Sequence, residues 1–154
     1  MTERLIALSR APRLDDLGPA GARPQFHIGA VAERTQLSHA TLRHWDEAGV
    51  VSPAGRTDGG FRLYSEADIQ RILVVRRMKP LGFTLEQMRQ IIDSFDTIFS
   101  PDATAAQRQA ARSAMEECCL EAQGSLERIR KHLFYAEEFV QLLTELIDTA
   151  TPEA

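Results

Sequence analysis

The side chains best able to do chemistry in this chain gather between Ser38 and Lys79. His39, Arg43 and His44 fall at helical spacing in "SHATLRHWDEAGV", and Arg56, Arg62 and Tyr64 bracket a glycine pair in "GRTDGGFRLY". Arg76, Arg77 and Lys79 close the next stretch. Arginine can reach a phosphate or a guanine edge, and histidine can donate to bases or backbone. On a short helix, Leu42 and Trp45 would face inward while His39, Arg43 and His44 face out. Trp45 is then a core aromatic whose indole N–H can still meet a phosphate at the domain edge. Arg56, Arg62 and Tyr64, around so small a turn, suit holding register on a phosphate backbone. The histidines have no third ligand at metal-binding spacing. The 4 histidines and 22 carboxylates form no catalytic constellation, and the glycines form no phosphate loop. No metal, cofactor or enzyme activity is expected.

These residues need elements to hold them. "IGAVAERTQLSHATLRHWDEAGV" places Ile28, Val31, Ala32, Leu37, Leu42 and Trp45 for two short helices with a tight break near Gln36, Ser38 capping the second and Gly49 stopping it. That is a helix-turn-helix candidate. Val50-Val51 and Phe61-Arg62-Leu63-Tyr64 flank a loop with Asp58-Gly59-Gly60, which predicts a two-stranded wing. Ser65 with Asp68, and Thr84 with Gln87, are capping-box pairs that start two further helices, the first ended by Pro80 and Gly82.

Either side lie different textures. Residues 1–25, with Pro12, Pro19 and Pro24 among Gly18 and Gly21, predict a flexible tail. After a linker at 97–100, Ser100 and Pro101 mark a plausible start for a helix over 101–148, followed by a short tail at 149–154. Apolar or small residues recur at Met115, Cys119, Ala122, Leu126, Ile129, Leu133, Ala136, Val140, Leu143 and Ile147, in gaps that alternate four and three. A seam of that period predicts a coiled coil. At about 1.5 Å per residue the helix spans roughly 70 Å, too long to bury its stripe on one small domain. A second copy of the chain is the simplest partner. Phe134, Phe139, Leu142 and Leu146 widen the stripe and suggest packing against a further element, a place where a small effector could also sit.

Net charge narrows the partner. The chain carries 18 basic and 22 acidic side chains, a net of −4, but residues 26–80 hold 8 basic against 6 acidic while 81–154 hold 6 against 13. The overall sign hides a mildly basic middle and an acidic C-terminal half. With no apolar run long enough to span a bilayer and no signal-peptide layout, a cytoplasmic protein without a membrane partner is expected. Adjacent Cys118 and Cys119 are poorly placed to bond to one another.

The stretch from Ile28 to Ile92 resembles the winged-helix DNA-binding domain of the MerR family of bacterial transcription regulators. It carries "IGAVA", "TLR" ahead of His44 and Trp45, "RTDGGFRLY" and "LGFTLEQM". His44 stands where the family pattern has a tyrosine. The resemblance implies a mainly α fold, with a DNA-binding domain at 26–96 and an antiparallel dimerisation helix. It implies a homodimer that contacts double-stranded DNA through Ser38, His39, Thr41, Arg43, His44, Trp45, Arg56, Arg62, Tyr64 and Lys79. It further implies a pseudo-palindromic promoter operator, spacer distortion, RNA polymerase as a partner and a nucleoid location. An architectural or excision-type DNA-binding protein and a coiled-coil adaptor are the alternatives. Metal-sensing members carry cysteines after the dimerisation helix, and none follows Ile147 here. An antiparallel seam centred near Lys131 sets Cys119 opposite Leu143. The effector candidates are Phe134 and Phe139.

Overall fold

Four side-chain caps set the helix starts in the computed structural model, which describes residues 11–18 and 22–150. Ser38 accepts from Thr41 N–H at the start of α2 (His39–Glu47), which follows α1 (Ile28–Thr35). Full capping boxes, Ser65 with Asp68 and Thr84 with Gln87, open α3 (Glu66–Met78) and α4 (Leu85–Phe99). Each satisfies backbone donors that a helix N-terminus otherwise leaves bare. Between α1 and α2, Gln36 takes a left-handed conformation (φ 55°), so the break needs only a few residues.

The fourth cap corrects the sequence reading. α5 spans Ala105–Ala150, and it is Thr104 that accepts from Gln107 N–H (3.2 Å) while Gln107 Oε1 accepts from Thr104 N–H (2.8 Å). Ser100 and Pro101 therefore precede the helix. α4 runs through most of the expected 97–100 linker, and α5 extends past the expected end at 148.

The wing also differs from expectation. Three strands form one antiparallel sheet in the order β1–β3–β2: β1 (Phe26–His27), β2 (Gly55–Arg56) and β3 (Arg62–Tyr64). Phe26 faces Tyr64 across one ladder and Arg56 faces Arg62 across the other. Val50 and Val51, expected to lead into the hairpin, are buried instead. Gly49 (φ 69°) folds the chain back so that both of their N–H groups donate to the Trp45 carbonyl (2.9 and 3.4 Å) and finish α2. The hairpin turn closes through Thr57 and Phe61, with Gly60 at φ 80° where a side chain would be strained.

Packing divides the chain into Met1–Cys118 and Cys119–Ala154. The first unit thus reaches past the expected boundary at 96 to include the opening turns of α5, where Ala111 is buried and Arg108 donates to the Ser100 carbonyl (2.9 Å). Within it, α3 is the central element: Ala67, Ile69, Ile72, Leu73, Val75 and Met78 are all buried. The second unit is the remainder of α5, with largely exposed side chains.

The expected flexible tail needs revision for its described part. Leu14–Asp16 form one 3-10 turn, Leu17 is buried and Arg13 N–H donates to Gln70 Oε1 (2.8 Å). A buried leucine and a backbone hydrogen bond outweigh the Pro/Gly-rich composition. Residues 1–10 and 19–21 lie outside the described residues, as do 151–154.

Asp68 binds the hairpin's approach to α3. Its Oδ2 accepts from Ser65 N–H (2.8 Å) and from Ala54 N–H (3.0 Å). Burial raises its pKa against the lowering effect of those bonds. Both bonds end on one oxygen, so an asparagine carbonyl can keep both. Asp68→Asn is expected to hold stability to about 1 kcal/mol in urea unfolding at neutral pH, and Asp68→Ala to lose about 2 kcal/mol by stranding two donors. A raised carboxyl pKa disfavours the fold once the group ionises, so this contribution to stability is greatest below the ordinary carboxylate range. It is lost as pH rises through the raised value, and that part of the pH dependence should vanish in Asp68→Asn.

Candidate nucleic-acid interface

α2 is amphipathic in the sense the sequence required. Leu42 and Trp45 are buried at 1% and 3% exposure, while His39, Arg43 and His44 are exposed. Ser38 and Thr41 stand at its N-terminus, their hydroxyls 2.9 Å apart. The free rim of α2 therefore offers a cation, two imidazoles and small hydroxyl groups, a set able to meet phosphate oxygens and base edges.

The hairpin is tied to that helix by one acid. Asp46 Oδ2 accepts from Arg62 Nε at 2.7 Å, with the Arg56 guanidinium at 3.8 Å. The hydrogen bond to Asp46 is the main cause of a raised Arg62 pKa. Arg56 also donates to the Gly60 carbonyl (3.0 Å), bracing the turn from its own strand. Held in this way, Arg43, Gly60, Phe61 and Arg62 line one surface cleft of about 270 Å³ with His27 and Ile28. Its walls are apolar at Ile28 and Phe61, and it is cationic at Arg43 and Arg62. Lys79 is exposed at the turn after α3, and Arg76 donates to the Thr35 carbonyl (2.6 Å), closing the C-terminal end of α1.

One sequence assignment fails on burial. Tyr64 is 0% exposed, so its hydroxyl cannot reach a ligand in this conformation, and burial raises its pKa. β3 turns Tyr64 inward onto the core, whereas Phe61, just before the strand, is 68% exposed. Trp45, one helical turn from Leu42, is the core aromatic that the sequence predicted. In the other direction, Asp46, Phe61, His27 and Ile28 were not anticipated. Asp46 carried no local signal, because its partner lies sixteen positions away.

The geometry agrees with a comparison of sequences. The family model described as MerR HTH family regulatory protein matches residues 26–94, from β1 into α4. The match is to this domain and leaves the rest of the chain uncovered. The HTH-type transcriptional regulator ZntR of Escherichia coli is 36% identical over 67 residues, covering 44% of this chain and 48% of ZntR. The chain thus spans about half the length of such curated relatives. Among solved structures, a putative MerR family transcriptional regulator from Listeria monocytogenes is 19% identical with a TM-score of 0.59, covering 81% of this chain and 96% of that one. HiNmlR, a MerR family regulator lacking the sensor domain and solved bound to promoter DNA, is 22% identical with a TM-score of 0.52, covering 79% and 94%. Both likenesses are of fold.

Among the described residues, one buried side-chain nitrogen or oxygen atom lacks a hydrogen-bond partner, the Tyr64 hydroxyl. An unpaired buried hydroxyl costs free energy that its removal restores. Tyr64→Phe is therefore expected to match or exceed wild-type stability by about 1 kcal/mol in thermal or urea unfolding. DNA retention on a gel should be unchanged, and a marked loss would return Tyr64 to the interface.

Proposed function

We propose that this chain is a homodimeric transcription regulator that binds a pseudo-palindromic promoter operator. In this reading α2 enters the major groove with His39, Arg43 and His44 toward the bases, and Ser38 and Thr41 meet the backbone at its N-terminus. Arg56, Arg62 and Lys79 hold phosphates on either side. The observation that carries it is the Asp46–Arg62 bond, which supports reading hairpin and helix as one rigid basic surface within a MerR domain. Distortion of the operator spacer to suit RNA polymerase costs a few kcal/mol, which backbone contacts of this kind offset. No described helix is long and apolar enough to cross a membrane.

The dimerisation half of the proposal rests on α5. Leu126, Ile129, Leu133, Val140, Leu143 and Ile147 are between 38% and 65% exposed in the single chain. Met115, Cys119, Ala122 and Ala136 continue the same seam. A stripe of this size facing water favours a second copy, and the seam's regular period suits an antiparallel pair. Phe134 and Phe139, at 56% and 58% exposure, flank it and are the proposed place for any effector.

Gel shifts across a salt series test the DNA reading. Arg43→Ala or Arg62→Ala should weaken binding about tenfold and reduce the salt slope by about one phosphate's worth. Asp46→Ala should also weaken binding, although it removes a negative charge from a surface that meets DNA, because Arg62 loses its brace. Tighter binding by Asp46→Ala would contradict the bracing role. The dimer reading is checked by sedimentation: the wild type should run as a dimer and Leu133→Asp as a monomer. Because Cys119 would face Leu143 and not its own copy, oxidising conditions should produce no covalent dimer on a non-reducing gel.

A further inference from the structure

Residues 11–18 lie outside the family match at 26–94, yet they dock on the polar centre of that domain. The 3-10 turn at Leu14–Asp16 and the residue that caps it present two leucines differently: Leu17 is 1% exposed and Leu14 is 72% exposed. Just before the turn, Arg13 N–H donates to Gln70 Oε1 (2.8 Å). Gln70 is itself 1% exposed and donates from Nε2 to Glu66 Oε1 (2.7 Å). Glu66 in turn grips the Arg34 guanidinium of α1 through two bonds of 2.8 Å. A relay of hydrogen bonds thus runs from the segment through α3 into the helix-turn-helix.

The other end of the segment reaches α4. Arg71 donates to the Leu17 carbonyl (3.3 Å), and the same guanidinium pairs with Asp96. Gly18 lies against the Phe99 ring, where an added Cβ would sit 3.8 Å from it. One short segment therefore touches α3 directly, α1 through Gln70 and Glu66, and α4 through Arg71 and Phe99.

We propose that residues 11–18 are a strap that fixes α1, α3 and α4 as one body, and that DNA affinity depends on its being seated. A buried amide that loses its donor must be rehydrated or left unpaired, and either change loosens the groups bonded to it. Gln70 is such an amide, and its Oε1 is held by the strap. Leu17 supplies the apolar anchor. The strap's sequence lies outside the DNA-binding motifs, so its effect on DNA is indirect, and that part of the inference rests on the regulator reading above.

Hydrogen exchange on the full-length protein tests the strap without DNA. Leu17→Asp should speed amide exchange in the first two turns of α3 and the last turn of α4 and lower Tm by about 5 °C. Leu17→Ala should do the same to a smaller extent and carries the test if the aspartate variant does not fold. Leu14→Asp, on the exposed side of the same turn, should match the wild type. Binding is then read on the duplex that the wild-type chain enriches from a randomised pool, well below both melting points, where Leu17→Asp should bind about tenfold more weakly. Unchanged exchange in the Leu17 variants, or equal effects from Leu14→Asp, would overturn the strap. Altered exchange with unaltered affinity would overturn its link to DNA. A wild type that enriches no duplex would sink the regulator reading, while exchange and melting still decide the strap.

Discussion

The burial of α3 is the constraint on which the first unit depends. Eight of its thirteen residues are buried, on all sides of the helix, and two of those are Asp68 and Gln70. Short helices such as α1 and α2, and strands of two or three residues, are too small to persist alone. They are held because α3 offers each of them a face: apolar residues for the sheet and the helix pair, Asp68 for the hairpin's approach, Glu66 and Gln70 for α1 and the N-terminal strap. The polar members are tolerated in the core because each is hydrogen-bonded.

From that centre the proposed DNA surface acquires its rigidity. A recognition helix of nine residues carries few anchors of its own, and a hairpin with a glycine turn is mobile unless something pins it. Asp46 pins it, at the cost of placing a carboxylate near a surface otherwise suited to an anion. The acid is largely shielded, its side chain 13% exposed, and it is paired to Arg62. Its charge is largely spent inside the protein. Net charge over the whole chain is a poor guide here, since residues 26–80 carry a small basic excess while the acidic excess lies after residue 80.

Local chemistry was legible wherever a short-range rule governed it. Ser38, Ser65 and Thr84 announced their caps because the capping contact spans three residues, and Leu42 and Trp45 announced the inner face of α2 because helical period is local. What escaped were contacts between distant residues and places where two local signals compete. Ser100-Pro101 imitates a helix start, but the capping box at Thr104 and Gln107 competes and prevails. Val50-Val51 reads as a strand by composition, whereas the left-handed Gly49 turns their N–H groups back onto Trp45. Phe61 and Tyr64 are both aromatic, and only the pairing of β3 between two neighbours decides which of them is buried.

The chain's sequence alone thus determined the order of helices, the turn at Gln36, the outward set His39, Arg43 and His44, and the resemblance that runs from Ile28 to Ile92. Each depends on spacing within a few residues or on a motif read directly. Tertiary structure alone decided that β1 completes the sheet, that Asp46 holds Arg62, that Tyr64 is core, and that residues 11–18 are docked. Those outcomes depend on which distant surfaces exclude water together and which polar groups must then find partners, and no local pattern encodes that.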